Sequence, residues 1–216
     1  MPEDDILARV FPEDELFEVI LTTESDDGQV NAAPVGVVRR GHRAIIELSA
    51  STLSLMNLRK RESGLLNLVS DPMTFAESAF GIYDSKAYVP ESPVKRLPNA
   101  RASIPLGLDS CQNFTREDRL GATEFVRLTL DIEGLKIHAP PEPYSRRRAA
   151  AIEAIVAVTK AEVACERGLT EVLEEIKEEV NRLRRIAGGP DGSAVEAFEL
   201  CVNRLEAMNG DERNHG

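Results

Sequence analysis

The sequence predicts an α+β fold, with an antiparallel β-barrel over residues 1–140 and a helical subdomain over 141–216. Three observations carry this. Residues 16–49 read as three short strands joined by the turn signals Asp26-Asp27-Gly28 and Gly41-His42, a meander of the kind that suits barrels. The run Ala139-Pro140-Pro141-Glu142-Pro143 then breaks the chain. Beyond it, apolar residues recur at helical spacing to the end.

The elements follow in order. Leu16 to Glu24 is rich in β-branched residues, Val30 to Arg39 is its return strand, and Arg43 to Ser49 is the third strand. Leu53 to Arg61 reads as a short helix and Gly64 to Ser70 as a strand ending at Asp71-Pro72. Pro72 suits the first turn of a helix over Met73 to Phe80, stopped by Gly81. Residues 82–122, with Pro90, Pro93, Pro98 and Pro105, read as an irregular segment with short β-like pieces. Glu124 to Ile132 is a strand that Leu135 to His138 extends past Gly134. Ile152, Ile155, Val156, Thr159 and Val163 mark one helix stripe. The next helix carries Leu169, Leu173, Ile176, Val180, Leu183 and Ala187, a narrow seam for a partner helix, with its acids early and its arginines late. Gly188-Gly189-Pro190 ends it, and Val195, Phe198, Val202 and Leu205 stripe the last helix. The last two helices are expected to form an antiparallel hairpin.

The 216 residues carry a net charge of −11. Residues 1–18 hold seven acids against Arg9, and this segment is expected to be a solvated arm, with Ile6, Leu7, Val10 and Phe11 available to pack on the body. Such a charge balance repels a nucleic-acid backbone, so no nucleic-acid partner is expected. No apolar run reaches the roughly 18 residues that a membrane span needs, and the acidic start lacks the features of a signal peptide. No membrane association and a cytoplasmic location are therefore expected. Cys111, Cys165 and Cys201 are too dispersed for a disulfide framework or a zinc site. Cys165 and Cys201 read as core residues and Cys111 as a loop thiol. His42, His138 and His215 have no ligand spacing, so no metal site is expected. Arg146-Arg147-Arg148 open a helix where positive charge is unfavourable; a bound anion, pairing with the acidic arm and a plain solvated turn all remain open.

Two stretches stand out as a candidate site. Asn31-Ala32-Ala33-Pro34-Val35-Gly36-Val37 puts a proline and small residues inside a strand. A sheet rarely accepts proline at a paired interior position, and small residues let another group approach the backbone. Ser49-Ala50-Ser51-Thr52-Leu53-Ser54-Leu55-Met56-Asn57-Leu58 runs from a strand into a helix through a cluster of hydroxyls, and a helix start is a natural anion site. Together they suggest a flat ligand carrying a phosphate; the alternative is an edge strand followed by an ordinary helix cap. No Ser-His-Asp arrangement, zincin motif or P-loop is present, and no catalytic residue is assigned.

Residues 16–80 resemble the DUF447 family of archaeal and bacterial proteins. The matching features are Thr22-Thr23, Asp27-Gly28, the Asn31 to Val37 strand, Ser54-Leu55-Met56-Asn57-Leu58, Asn67-Leu68-Val69 and Asp71-Pro72-Met73-Thr74-Phe75. Arg148 through Thr159 fits more loosely. The resemblance implies an antiparallel split β-barrel that binds FMN, akin to flavin reductases and pyridoxamine phosphate oxidases, with the flavin at a homodimer interface and a C-terminal helical subdomain. Carried onto this chain, Asn31, Ala32, Ala33, Pro34 and Val35 would lie along the isoalloxazine edge. Ser49, Ser51, Thr52 and Ser54 would wrap the ribityl chain and phosphate, and Asn57 would reach the same phosphate. Ser54 stands where the family pattern commonly has threonine and keeps the hydroxyl.

The function so implied is that of an FMN-dependent oxidoreductase acting on a small molecule, with pterin or C1 chemistry as the family-level guess. A non-catalytic flavin carrier, sensor or assembly protein is the alternative. A deazaflavin enzyme fits the acidic charge balance poorly, and a barrel that has lost its ligand is the remaining reading.

Overall fold

The computed structural model describes residues 3–84, 87–187 and 192–212. The expected helix stop at Gly188-Gly189-Pro190, and His215, lie outside the described residues. The order of elements is α1 (Glu3–Val10), β1 (Leu16–Glu24), β2 (Val30–Arg40), β3 (Arg43–Ser49), α2 (Leu53–Arg61), β4 (Ser63–Leu68), α3 (Pro72–Ala79), β5 (Ala102–Asp118), β6 (Gly121–Ile132), β7 (Lys136–Ile137), α4 (Arg146–Glu166), α5 (Thr170–Ala187) and α6 (Ser193–Glu212).

The chain divides into two compact units. The first comprises Met1–Val69, Tyr83–Arg116 and Thr123–Pro141. Its strands run in the order β4-β1-β2-β3-β6-β5, and β4 pairs with β5 from Ser63↔Gly107 to Leu68↔Ala102, closing an antiparallel barrel of six strands. β7 adds to β5 at Ala102↔Ile137. The β4–β5 pairing spares those two strands an unpaired outer edge of the kind that invites aggregation. Alternation sends Val19, Leu21, Val35, Val37, Ile46, Leu48, Leu66, Ile104, Val126 and Leu128 into one core, and α2 adds Leu55 and Leu58. The Asp26-Asp27-Gly28 turn forms as expected: Gly28 takes φ +80°, and its N–H donates to the Ser25 carbonyl at 3.0 Å.

Two expectations for this unit need correction. The acidic N-terminal segment is a helix and not a solvated arm, although the packing of Leu7 and Phe11 on the body agrees with the sequence reading. Its residues form α1, whose Leu7 and following Phe11 lie one helical turn apart and are buried in the barrel core. Phe11 meets Phe17 edge-on at 5.3 Å, and the buried Arg39 donates to the Phe11 carbonyl while pairing with Glu13 at 3.1 Å. Most of the charges leave one apolar face free, and that face decides the packing. Nor is the whole of 82–122 irregular, because it contains the 17-residue strand β5. Pro105 interrupts the strand signal, and the second half of β5 is mostly exposed and polar, so no alternation marks it.

The segment before β5 lies along β1 and β4. Val89 and Arg96 bridge, and Val94, Leu97 and Ala100 are buried. Asn67 holds it: its Oδ1 accepts from the Leu97 N–H at 2.8 Å, while its Nδ2 lies 3.1 Å from Thr22 Oγ1 and 3.2 Å from the Ile20 carbonyl. Asn67 is fully buried, so these bonds satisfy an amide that would otherwise be costly to bury.

The second unit comprises Ser70–Ile82, Glu117–Ala122 and Glu142–Gly216. Pro72 opens α3 with Asp71 as N-cap, its carboxylate accepting from the Thr74 N–H at 3.1 Å. The hairpin expected between the last two helices is not the main packing: α5 and α6 both pack chiefly on α4 and only slightly on each other. α4 buries Ala150, Ala151, Ala154, Ala157, Ala161 and Ala164, and these small side chains admit two helices to one. α5 turns Leu173, Ile176 and Val180 inward, as its seam requires. At the start of α4, Arg148 pairs with Glu142, while Arg146 and Arg147 are exposed. Among the described residues no helix is long and apolar enough to cross a membrane.

If α1 belongs to the core, Phe11→Ala will destabilise the protein by about 3–5 kcal/mol, the usual cost of such a cavity. Urea unfolding measures it; a change within the scatter of surface substitutions, about 0.5 kcal/mol, would restore the solvated arm.

Candidate functional site

The barrel is closed but not uniformly paired. β1 and β2 pair along their whole length, from Leu16↔Val38 to Glu24↔Val30. β2 and β3 pair only from Val37↔Ile46 to Arg40↔Arg43. β3 keeps its other partner throughout, from Arg43↔Asp131 to Ser49↔Phe125 on β6. The two strands therefore part after Ile46. Residues 30–36 of β2 turn one edge toward the gap, and 47–49 of β3 do the same on the other side. The proline and small residues of the first candidate stretch fall on this edge. Pro34 offers no N–H there, and Ala32, Ala33 and Gly36 hold the approach open.

The register sorts the side chains. Asn31, Ala33 and Val35 lie opposite Thr23, Leu21 and Val19, so they share the barrel side, while Ala32 and Pro34 point the other way. Val35 joins the core, whereas Asn31 and Ala33 are only half-buried. The sequence could not settle whether Ala33 is a core residue; it stands at the core's margin.

α2 begins at the mouth of the gap. The Ser49 carbonyl accepts both the Thr52 N–H at 3.2 Å and the Thr52 hydroxyl at 3.0 Å, and the Ala50 N–H donates to the Glu124 carbonyl at 3.0 Å. Ser49 and Ser51 hydroxyls are 3.3 Å apart. The hydroxyl of N-cap Thr52 is thus turned back, and its side chain makes no capping hydrogen bond. The N–H groups of Leu53, Ser54 and Leu55 have no intrahelical acceptor, as in any first turn. No acid sits in that turn. Ser145 and Asp71, by contrast, do cap their helices.

Ser54 and Asn57 face inward. Asn31 Nδ2 donates to Ser54 Oγ at 2.9 Å, and Asn57 Nδ2 donates to Thr23 Oγ1 at 3.1 Å. Thr23 and Asn31 are cross-strand partners, and Ser54 and Asn57 are one helical turn apart. Four side chains thus form two parallel rungs that fix the start of α2 against β1 and β2. Ser54 and Asn57 are both buried. Of the ten candidates, the structure gathers Asn31, Ala32, Ala33, Pro34 and Val35 on the part of β2 unpaired with β3, and Ser49, Ser51 and Thr52 at the helix mouth. It engages Ser54 and Asn57 in the rungs between.

The sequence did not single out the cluster on the barrel's outer face beside Ser49. Phe125, directly across from Ser49, stacks on Phe114 with ring centroids 5.8 Å apart. The Arg116 guanidinium lies 4.5 Å from the Phe125 centroid, and Arg127 lies 5.3 Å from that of Phe114. Glu47 binds both arginines: Arg127 holds Oε1 through Nε at 2.9 Å and a terminal nitrogen at 2.8 Å, and Arg116 holds Oε2. Alternation on β3 and β6 puts Glu47, Ser49, Phe125 and Arg127 on one face. Phe114 and Arg116 escaped notice because they lie in the segment whose strand was not legible.

Elsewhere, Ser103 donates to Glu91 at 2.7 Å and lies 2.8 Å from His138 Nε2. Arg96 and Lys136 also pair with Glu91, at 3.2 and 3.3 Å. Burial, then the nearby Arg96, lowers the His138 pKa below its ordinary value, against the pull of Glu91. Ser103 sits between acid and imidazole and is fully buried, so it is placed to hold the fold and not to attack a substrate. Cys201 is buried and its pKa is pushed up to about 12, which leaves it an inert thiol; Cys111 is exposed. Among the described residues no group of three or more His, Cys, Asp or Glu could hold a metal.

The rungs make a stability prediction. Asn57→Leu removes one bond of a buried pair and should cost the ligand-free protein about 1–3 kcal/mol, with Thr23→Val non-additive with it in a double-mutant cycle. Unchanged ligand-free stability would show that Asn57 does not hold α2.

Residues 17–139 match the family model described as the N-terminal domain of DUF447, a protein of unknown function. An FMN-bound DUF447 protein from Methanosarcina mazei shares the fold at a TM-score of 0.73 and 21% identity, covering 92% of this chain and 99% of that one. Weaker likenesses include the nitrilotriacetate monooxygenase component B of Bacillus cereus (TM-score 0.44, 11% identity, 63% of this chain and 78% of that one). The styrene monooxygenase flavin reductase of Pseudomonas putida S12 is similar at a TM-score of 0.45 and 14% identity, over 60% of this chain and 93% of that one.

Proposed function

This chain belongs to the DUF447 family, and we propose that it is an FMN-binding flavoprotein whose cofactor lies in the gap between β2 and β3. The observation that carries the reading is the parting of these strands at the start of α2. The free edge of β2 over Asn31–Val35 offers backbone groups to the rim of a planar ring, and the alanines leave room for it. Ser49, Ser51, Thr52 and the first N–H groups of α2 offer donors to one phosphate. Asn31, Ser54, Thr23 and Asn57 act one step back by fixing the distance between ring edge and phosphate. The likeness to an FMN-bound protein of the same family supports this choice of ligand.

When bound, a flavin supplies hydride or one-electron transfer; the chain's own residues bind and orient it. The finer reading is an oxidoreductase acting on a small molecule, with a pterin- or C1-related substrate as the family-level expectation. Leu53 and Met56, 59% and 46% exposed, stand on the outer side of α2 beside the proposed phosphate site. They suit the wall of a second subunit, and a homodimer is part of the reading. A flavin carrier without turnover is the alternative; anaerobic mixing of the flavin-loaded protein with NADH or NADPH separates the two, since only a reductase bleaches the flavin.

Ala33→Leu tests the ring site. The added side chain should lower affinity for both FMN and riboflavin, at the 1–3 kcal/mol typical of overpacking, roughly tenfold, while the melting temperature of the ligand-free protein holds. Flavin fluorescence titration and thermal melting measure the two. Unchanged affinity with a large loss of ligand-free stability would make Ala33 a core residue and remove the ring from this edge.

A further inference from the structure

We propose that Arg116 is the cation that binds the flavin phosphate, swinging to it from the side chain of Glu47. The inference rests on the FMN reading above and adds a residue to it. A phosphate monoester carries close to two negative charges near neutral pH, yet the hydroxyls of Ser49, Ser51 and Thr52 and the start of α2 supply no full positive charge. The basic residues of α2 lie in its last turn, where Arg59 bonds Asn113 at 3.3 Å, Lys60 pairs with Asp26 at 3.2 Å, and Arg61 bonds the Ser25 carbonyl at 3.2 Å. They are at the wrong end of the helix.

The sheet brings a cation from elsewhere. Ser49 and Phe125 are cross-strand partners on the outer face, and such partners have Cβ atoms about 5 Å apart. The Arg116 guanidinium rests on the Phe125 ring, 4.5 Å from its centroid. Glu47, its carboxylate partner, is two residues from Ser49 on β3, about 7 Å along the strand. The guanidinium therefore lies within a side-chain rotation of the Ser49 hydroxyl.

Charge explains why Arg116 is the one free to move. Glu47 carries one negative charge and is held by two arginines. Arg127 grips Oε1 with two nitrogens, at 2.9 and 2.8 Å, and keeps Glu47 neutralised when Arg116 leaves. Arg116 is 42% exposed, so its rotation breaks no core packing. Phe125 provides a flat face along which a guanidinium can slide without losing its cation–π contact.

Riboflavin, which is FMN without the phosphate, is the discriminating probe. Fluorescence titration of the full chain with FMN and with riboflavin should show wild type preferring FMN. Arg116→Gln should weaken FMN at least tenfold and leave riboflavin unchanged, Arg116→Lys should recover part of the loss, and Glu47→Gln should tighten FMN by freeing the guanidinium. Equal weakening of both flavins, or an FMN preference unchanged in Arg116→Gln, would overturn the role of Arg116 and leave the flavin reading standing. A wild-type chain that binds neither flavin would overturn the flavin reading and this inference with it.

Discussion

Everything in the barrel unit turns on β3 keeping one neighbour while losing the other. Its pairing with β6 runs the full length to Ser49↔Phe125, but its pairing with β2 stops at Val37↔Ile46. Backbone N–H and C=O groups demand partners, so a free edge inside a closed barrel must be met by something other than a strand. α2 packs at that end of the barrel. Its Leu55 and Leu58 complete the core, and its first turn stands at the mouth of the gap. The proposed flavin would supply partners to the free edge.

The start of α2 is fixed against β1 and β2 by polar side chains that the sequence also offers as ligand contacts. Asn31, Ser54, Thr23 and Asn57 form two buried rungs between sheet and helix. Asn67 does comparable work on the other side of β1, joining β4 to the segment that carries Leu97. A buried amide that is fully hydrogen-bonded fixes geometry more sharply than an apolar contact, because a shift of either partner leaves a polar group unsatisfied.

Much of this was legible in the sequence, and what was missed has physical causes. β1, β3 and α2 appear where their residue patterns place them, because β-branched runs, a Gly turn and a hydroxyl-to-helix transition are local signals. The unusual strand of Asn31 to Val37 was readable for the same reason: proline and alanines in a strand are a local anomaly. β5 was not, since Pro105 and a polar second half hide a strand that tertiary pairing enforces. Losing β5 meant losing Arg116 and Phe114, whose neighbours are set only by register. Ser54 and Asn57 were visible as candidates, but the side on which they point depends on where the helix docks. The N-terminal segment was read in part: Leu7 and Phe11 stood out as residues able to pack, but the seven acids of residues 1–18 hid the helix that buries them.

The central claim is that the parted strands and the start of α2 form one flavin site, and amide hydrogen exchange with and without FMN tests it most directly. The account predicts slowed exchange on adding FMN, concentrated in residues 30–36 of β2 and at 51–55, with α4, α5 and α6 unaffected. Protection that appears elsewhere in the chain and leaves both of those segments exchanging at their ligand-free rate would contradict it.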